Sequence, residues 1–346
     1  MYKEFKIKNR LVGKDYEPLI IAEIGINHNG SLEVAIEMAD AAIESGAEII
    51  KHQTHIVDDE MSEEAKSIIP DNADIPIYEI MQKCSLCEDD EYKLMQHINS
   101  KNCIFISTPF SKEAVDRLIK FDVPCFKIGS GECTNYPLIE YVSSFKKPMI
   151  ISTGMNKIED IFKTVKIVES NSIPYALLHC TNVYPTPPNL VRLGAIQKLE
   201  KCFPNAVIGL SDHTINNFTS LGGIALGCSI IERHFTDKKS RPGPDIICSM
   251  DKEELKELIL GAKTIFEARG DHKGPILEEN KTIEFAFHSV VAIEEIKKGE
   301  EFNKNNIWLK RPGNGEFKAS DFNNLLGKKA SNKILKGSQI RKVDVI

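Results

Sequence analysis

The stretch Ile208–Phe235, IGLSDHTINNFTSLGGIALGCSIIERHF, decides the fold and carries one histidine near each end. An apolar run from Ala206 to Leu210 breaks into polar residues, a helix of small residues follows, and a second apolar run from Ser229 to Ile231 breaks into polar residues again. Strands joined by a helix lie parallel and side by side in one sheet. The pattern therefore predicts that His213 and His234 lie together at the C-terminal edge of neighbouring strands.

This histidine pair is a candidate metal site. Neutral imidazoles placed side by side suit a divalent transition metal. For a lone histidine, a satisfied polar residue at a strand end is the ordinary alternative. With only His213 and His234 as protein ligands, several coordination positions would remain for water or substrate, which is typical of a catalytic site rather than a closed structural one.

Composition limits the possible classes of protein. The chain has 346 residues, 42% hydrophobic and 27% charged, which predicts an ordinary globular protein of two domains. A net charge of -6 without a basic face argues against nucleic-acid binding, so an anionic substrate would need a local cationic cluster. The sequence contains no apolar run of membrane-spanning length and no secretory signal at MYKEFKIKNR, so we expect a cytoplasmic protein without membrane contact.

The nine cysteines are an odd number scattered along the chain, which indicates reduced residues in a reducing compartment. Cys84 and Cys87 form a single C-x-x-C motif. Redox activity and metal binding are open to such a pair, but without a second pair the ordinary structural role is favoured.

Strand and helix patterns alternate eight times up to residue 268, which is the signature of a (β/α)8 TIM barrel. A long polar insertion before the helix near Glu88 is predicted as a loop, and loops of this length are usually functional. The remaining predicted strands are Pro18–Ile24, Ala47–Ile50, Cys103–Ser107, Cys125–Ile128, Pro148–Ile151 and Tyr175–Leu178.

Active sites of such barrels lie at the C-terminal ends of the strands. Two lysines stand there inside otherwise apolar strands, and an unpaired buried ammonium is costly. Together with nearby hydroxyls and the backbone N–H groups of Gly129–Gly131, they predict a cradle for phosphate and carboxylate. There are two alternatives to an anion-binding role for these lysines. They could form structural ion pairs with Glu23 or Glu132, or one of them could form a Schiff base with a substrate. The strand-end residues are Glu23, Lys51, Gln53, Thr108, Lys127, Ser130, Ser152, Asn182, Ser211, His213 and His234.

Glu23 and two further residues, Asp245 and Arg311, are candidates for chemistry or binding. Glu23 lies among apolar neighbours at the barrel mouth, where desolvation suits a carboxyl to general acid or base work, unless it only pairs with a lysine. Asp245 follows the stiff turn Arg241–Pro244 and is placed to point back at a metal or a substrate hydroxyl, or is a solvated turn residue. Arg311, on a Pro-Gly turn, is the binding candidate of the C-terminal region.

The chain changes character after the barrel. Residues 1–270 are predicted as the barrel domain, the polar residues 271–284 as a linker, and residues 285–346 as a small β-rich domain of short strands and glycine turns.

In its motifs the sequence closely resembles bacterial sialic acid synthases over essentially its whole length. These enzymes condense phosphoenolpyruvate with N-acetylmannosamine to give N-acetylneuraminate and phosphate. The motifs that carry the resemblance are EIGINHNG (23–30), IKHQTH (50–55), STPF (107–110), KIGSGE (127–132), HCTNVYPTP (179–187), GLSDHT (209–214), ERHFTD (232–237), RPGPD (241–245) and KRPGNG (310–315).

The resemblance implies a TIM barrel followed by a β-clip domain of the SAF (antifreeze-like) type, in a domain-swapped homodimer. Arg311 would reach the sugar of the other subunit, and His213 and His234 would bind Mn2+ or another divalent ion such as Mg2+ or Co2+. Glu23 and Asp245 would act in catalysis. Phosphoenolpyruvate would be held by Lys51, Thr108, Lys127, Ser130, Ser152, Asn182 and Ser211, and the sugar by Gln53, Asn72, Tyr184, Asp245 and Arg311.

Two other functions stay open at the level of sequence. Relatives use the same machinery on 2,4-diacetamido-2,4,6-trideoxyhexoses to make legionaminic or pseudaminic acid. The second open function is that of a non-catalytic carbohydrate-binding protein, but binding a neutral sugar requires neither the lysine pair nor the histidine pair.

Overall fold

The computed structural model describes residues 3–69 and 74–346, and the chain divides into two compact units between Gly270 and Asp271. In the first unit eight parallel strands close into a barrel, which confirms the predicted fold. The first unit contains β1 (Glu4–Ile7), β2 (Arg10–Gly13), β3 (Leu19–Gly25), β4 (Ile49–Thr54), β5 (Ile104–Pro109), β6 (Phe126–Ile128), β7 (Met149–Ser152), β8 (Tyr175–Cys180), β9 (Val207–Ser211) and β10 (Ile230–His234).

Each strand from β3 to β10 pairs in parallel with the next, and β10 closes the barrel against β3. His213 and His234 therefore follow or end neighbouring strands, as predicted. Because all eight strands are parallel, their carboxyl ends meet at one rim, where the polar strand-end residues converge.

Helices surround the barrel and bury its outward-facing apolar side chains. The last of them begins with a capping box, in which Asp251 accepts a hydrogen bond from the backbone of Glu254 and Glu254 accepts one in return. The helices of this unit are α1 (Leu32–Glu44), α2 (Val57–Glu60), α3 (Ile77–Cys84), α4 (Glu88–Ser100), α5 (Lys112–Lys120), α6 (Tyr136–Ser144), α7 (Ile158–Ser170), α8 (Pro188–Val191), α9 (Gly194–Cys202), α10 (Phe218–Ala225) and α11 (Lys252–Ala268).

Three features differ from the sequence prediction. The N-terminal segment is a hairpin, β1–β2, whose Phe5, Ile7 and Val12 join the cluster inside the barrel. The insertion predicted as a loop contains α2 and α3. Strand β10 runs to His234 rather than ending at Ile231, because its charged residues find partners inside the protein.

The second unit has its own apolar core around Val290, Phe302 and Ile340. Its strands β11 (Ser289–Ala292) and β12 (Ile307–Lys310) are antiparallel, and it also contains α12 (Asn280–Ala286) and α13 (Phe322–Leu325).

All nine cysteines are free thiols, including Cys84 and Cys87. Within the described residues, every helix is too short or too polar to cross a bilayer.

Candidate active site at the barrel mouth

A cavity of about 440 Å³ lies at the carboxyl ends of the barrel strands. It brings together twelve of the predicted site residues, in agreement with their placement at one rim. These are Lys51, Gln53, Thr108, Lys127, Ser130, Ser152, Asn182, Tyr184, Ser211, His213, His234 and Asp245.

The two buried lysines share a carboxylate that the sequence prediction did not include. Lys51 Nζ lies 3.7 Å and Lys127 Nζ 3.6 Å from the same Glu232 Oε1. The other oxygen of Glu232 has no hydrogen-bond partner within the described part of the chain. The sequence prediction ends the strand at Ile231 and leaves Glu232 beyond it, whereas in the structure Glu232 is a residue of β10 that lines the cavity.

The two lysines differ in their electrostatics. Burial lowers the pKa of Lys127, although Glu232 opposes this. Burial also disfavours the charged form of Lys51, but attraction to Glu23 and Glu232 outweighs it and raises the pKa of Lys51. Lys51 is thus a fixed cation, whereas Lys127 loses its proton more readily, so the Schiff-base alternative applies best to Lys127.

Glu23 is placed differently from the other predicted residues. Its Oε2 lies 2.6 Å from Lys51 Nζ, and its Oε1 accepts a hydrogen bond of 2.8 Å from Gln53 Nε2. The side chain is only 1% exposed and sits beneath Lys51 and Gln53 rather than on the cavity surface. Glu23 therefore forms an ion pair with Lys51, and its proton-carrying role stays a prediction, while Glu132 makes no ion pair with either lysine among the described residues.

Hydroxyls complete the cationic half of the cavity. Lys127 Nζ donates to Ser152 Oγ at 2.8 Å, and Lys51 Nζ donates to Thr108 Oγ1 at 3.2 Å. Ser130 Oγ accepts a hydrogen bond of 3.1 Å from the backbone of Gly154. A Cβ at Gly154 would lie 1.9 Å from Asn182 Oδ1, so only glycine leaves room for the asparagine amide here.

The histidine pair is arranged in a way that fits a divalent metal ion. The ring centroids of His213 and His234 are 5.4 Å apart. His213 Nδ1 donates to the carbonyl of Thr181 at 3.1 Å, so its Nε2 lone pair is available for a ligand. His234 Nδ1 has no hydrogen-bond partner in the described ranges, and Asp245 Oδ2 lies 3.7 Å from it. Burial and the neighbouring His234 lower the pKa of His213 to about 3, so its ring is neutral.

No group of three or more His, Cys, Asp or Glu side chains in residues 3–69 and 74–346 is arranged to enclose a metal ion.

The other half of the cavity combines polar groups with an apolar wall. The ring of Tyr184 lies 4.2 Å from that of His213, and Gln53 Oε1 is 3.0 Å from His55 Nε2. Glu132 also lines the cavity, and burial raises the pKa of this carboxyl. The apolar wall consists of Phe110, which the resemblance implies as packing beside the sugar, and of four residues that the sequence prediction did not include, Ile26, Ile77, Ile80 and Met81.

Two of the predicted sugar-binding residues lie outside the described part of the barrel unit. Asn72 lies outside the described residues. Arg311 belongs to the second unit, where it follows β12 and is exposed. Both assignments remain predictions.

Comparison with family models finds the NeuB family over residues 38–274. The chain belongs to the NeuB family. The SAF domain model matches residues 287–346 of this NeuB-family protein, which confirms the resemblance seen in the sequence.

Three relatives show the range of reactions in this group. The chain is 37% identical to the N,N'-diacetyllegionaminic acid synthase of Campylobacter jejuni over 93% of its own length and 98% of that protein. It is 31% identical to the human N-acetylneuraminate-9-phosphate synthase, over 92% and 90% of the two chains. The crystal structure of a sialic acid synthetase from Leptospira borgpetersenii superposes with a TM-score of 0.75 at 28% identity, covering 82% of this chain and 96% of that one.

Proposed function

We propose that this protein joins phosphoenolpyruvate to an N-acetylated hexosamine, with addition of water and release of phosphate, to form a nine-carbon sugar acid. The observation that carries the proposal is the buried Lys51–Glu232–Lys127 cluster, which shares one cavity with the His213–His234 pair. Two adjacent cations beside serine and threonine hydroxyls suit the phosphate and carboxylate of phosphoenolpyruvate. The Campylobacter and human relatives, named as synthases of such acids, support the same reaction class.

In the proposed reaction, C3 of phosphoenolpyruvate forms a bond to the aldehyde carbon of the open-chain sugar. Water adds at C2, and phosphate leaves by cleavage of the C2–O bond. Lys51 and Lys127 hold the anion and balance the charge that develops on it. Glu23, which contacts both Lys51 and Gln53, accepts or returns the proton at the new hydroxyl or the water. Asp245, beside His234, orients a sugar hydroxyl.

His213 and His234 would hold the divalent ion, for which we propose Mn2+. Such an ion polarises a carbonyl oxygen as a Lewis acid. The free Nε2 of His213 and the unpartnered Nδ1 of His234 support this assignment within the described residues.

Removal of the metal is expected to abolish phosphate release, and Mn2+ is expected to restore it. Titration calorimetry should also detect Mn2+ binding to the metal-free protein and its loss in His213→Ala, whereas His97→Asn, at an outer histidine of α4 bonded to Asp40, should bind normally. Full activity in EDTA, together with trapping of a substrate on Lys127 by borohydride, would contradict the metal site and support the Schiff-base alternative.

Two acceptor sugars are candidates. N-acetylmannosamine follows from the resemblance of the sequence to bacterial sialic acid synthases. The apolar wall formed by Ile77, Ile80 and Met81 of α3, with Ile26 and Phe110, favours a sugar with a C6 methyl group and a second acetamido group, namely 2,4-diacetamido-2,4,6-trideoxymannose.

Phosphate release from phosphoenolpyruvate, measured with Mn2+ and each sugar in turn, tests the function and separates the candidates. A kcat/KM at least about tenfold higher for the diacetamido sugar supports legionaminic-type synthesis, since one or two methyl groups in an apolar pocket give discrimination of this order. The reverse preference supports N-acetylneuraminate synthesis. Absence of release with either sugar contradicts the proposed function and favours the carbohydrate-binding alternative.

We also propose the domain-swapped homodimer, in which the second unit of one subunit covers the barrel mouth of the other. Exposed apolar side chains near the rim support a covering surface there, namely Met155, Ile215, Phe218 and Ile247.

Mixing two inactive variants tests this arrangement. If Arg311 serves the partner's sugar site, hybrid dimers of Glu23→Gln and Arg311→Ala regain activity, because one barrel then has an intact Glu23 and receives an intact arginine. Each variant alone should stay inactive or nearly so. If Arg311 acts in its own subunit, subunit exchange restores no activity.

A further inference from the structure

The turn that follows β3, Asn27–Gly30, is buried in its first two residues and exposed at Asn29. Asn27 and His28 are at most 1% exposed. The turn is closed by hydrogen bonds from Asn29 N to Ile26 O and from Ser31 N to His28 O, each 3.0 Å. Asn29 and Gly30 both adopt positive φ angles, so this backbone conformation needs support from its surroundings.

The turn supports one wall of the cavity through α3. Asn29 Oδ1 accepts a hydrogen bond of 3.5 Å from Cys84 Sγ, at the end of that helix. A Cβ at Gly30 would lie 2.4 Å from the carbonyl oxygen of Lys83, so the helix end packs directly on the glycine. Ile77, Ile80 and Met81, which line the cavity, therefore belong to a helix that is fixed at this turn.

The same turn supports the opposite wall, which carries Asp245. Asn29 Nδ2 donates to the carbonyl of Pro242 at 2.7 Å. Asn27 Nδ2 donates to Ser249 Oγ at 2.9 Å, and Ser249 Oγ donates in turn to the carbonyl of Asp245 at 2.7 Å. Two asparagine side chains thus connect one turn to both walls of the half of the cavity proposed for the sugar, which is called the sugar half and is lined by α3 on one side and by Asp245 on the other.

A one-way chain of hydrogen bonds holds the turn from behind. Gly30 N–H donates to His28 Nδ1 at 3.1 Å, so the proton of a neutral His28 is on Nε2. His28 Nε2 is 3.2 Å from His52 Nε2, which must accept, and His52 Nδ1 then donates to Glu91 Oε1 at 3.1 Å. Arg117 Nη1 donates to the other oxygen of Glu91 at 3.0 Å.

The electrostatics agree with this order of donors and acceptors. Burial and the neighbouring His52 lower the pKa of His28 to about 3, so His28 is neutral. Burial acts to raise the pKa of Glu91, but hydrogen bonds from His52, Thr54 and Arg117 lower it, so the carboxylate is ionised. Among the described contacts, no hydrogen bond or ion pair joins the side chains of His28 and His52 to that of Lys51, which precedes His52 in β4, or to the metal-site histidines, and no step of the proposed reaction uses them.

We infer that His28, linked through His52 to Glu91, is a positioning residue that fixes the sugar half of the cavity by holding the Asn27–Gly30 turn against both α3 and the Asp245 loop. The inference rests on the proposed function only in assigning that half of the cavity to the sugar. The half that holds phosphoenolpyruvate is built from strand-end side chains that this turn does not contact, so the two substrates should respond differently when the chain of hydrogen bonds is cut.

The kinetic test compares His28→Phe with the unsubstituted protein. Phenylalanine keeps an aromatic ring at this position but leaves Gly30 N–H and His52 Nε2 without hydrogen-bond partners. We expect the KM for the sugar to rise about tenfold, with the KM for phosphoenolpyruvate within about twofold of the original value. His28→Gln, whose amide can still donate to His52, should recover most of the affinity. His97→Asn, which removes a histidine–carboxylate bond on the outer side of α4, is the matched control.

Hydrogen–deuterium exchange tests the same inference without any substrate. His28→Phe should speed exchange in residues 77–84 and 241–249 together, and His97→Asn in neither. If His28→Phe is poorly folded, His52→Asn, which keeps a donor toward Glu91 but not the acceptor for His28, takes its place. Unchanged exchange in both segments, or equal rises of the two KM values, would overturn the inference. An inactive unsubstituted protein would contradict the proposed function alone.

Discussion

Glu23→Gln is expected to lower turnover by about 10²- to 10⁴-fold while the protein still binds both substrates, because the loss of a positioned proton carrier has an effect of this size. The amide keeps the shape of the carboxyl group and can still accept the hydrogen bond from Gln53. Single-turnover phosphate release and binding of phosphoenolpyruvate by calorimetry separate the two effects.

Glu232→Gln is the matched control, since it removes the same charge beside the same lysine. Glu232 lies within 3.7 Å of both ammonium groups, where it competes with the bound anion for them. Either substitution should therefore tighten phosphoenolpyruvate binding, by about tenfold, but only Glu23→Gln should lose the proton transfer. Loss of turnover in Glu232→Gln with normal turnover in Glu23→Gln would move the proton-carrying role to Glu232, which lines the cavity.

The placement of Glu23 and Glu232 shows where prediction from the sequence ends. The barrel was predictable because buried parallel strands read as short apolar runs that alternate with helices, and the parallel order then puts their ends at one rim. How deeply each polar side chain lies below that rim was not predictable from the sequence. Glu23 lies behind Lys51 and does not line the cavity. Glu232 does line it, but its charge interrupts the apolar pattern of β10, so the sequence does not reveal it as a strand residue.

Helix α3 shows a second limit. Its residues Ile77, Ile80, Met81 and Cys84 have helical spacing, but over only two turns and within a polar insertion, so the pattern was too short to stand out. The part of the apolar wall that α3 supplies, Ile77, Ile80 and Met81, was not predictable for the same reason. The hydrogen-bond chain of His28, His52 and Glu91 joins three distant parts of the sequence and has no local pattern.

Lys127→Met and Lys51→Met are both expected to weaken phosphoenolpyruvate binding by about 100-fold or more, but to differ in stability. Without Lys127, Glu232 still has Lys51 at 3.7 Å. Without Lys51, Glu23 loses its 2.6 Å partner and is left as a buried charge, which costs about 3–5 kcal/mol of unfolding free energy. Denaturant unfolding should therefore show a large loss of stability for Lys51→Met and a smaller one for Lys127→Met.

The double variant Lys51→Met with Glu23→Gln separates charge balance from substrate binding. Because it removes both members of the ion pair, it should recover much of the stability lost in Lys51→Met. Binding of phosphoenolpyruvate should not recover, since one of the two cations is still missing. If the double variant regained binding, Lys51 would serve mainly to neutralise Glu23, and the anion would be held by Lys127 and the surrounding hydroxyls alone.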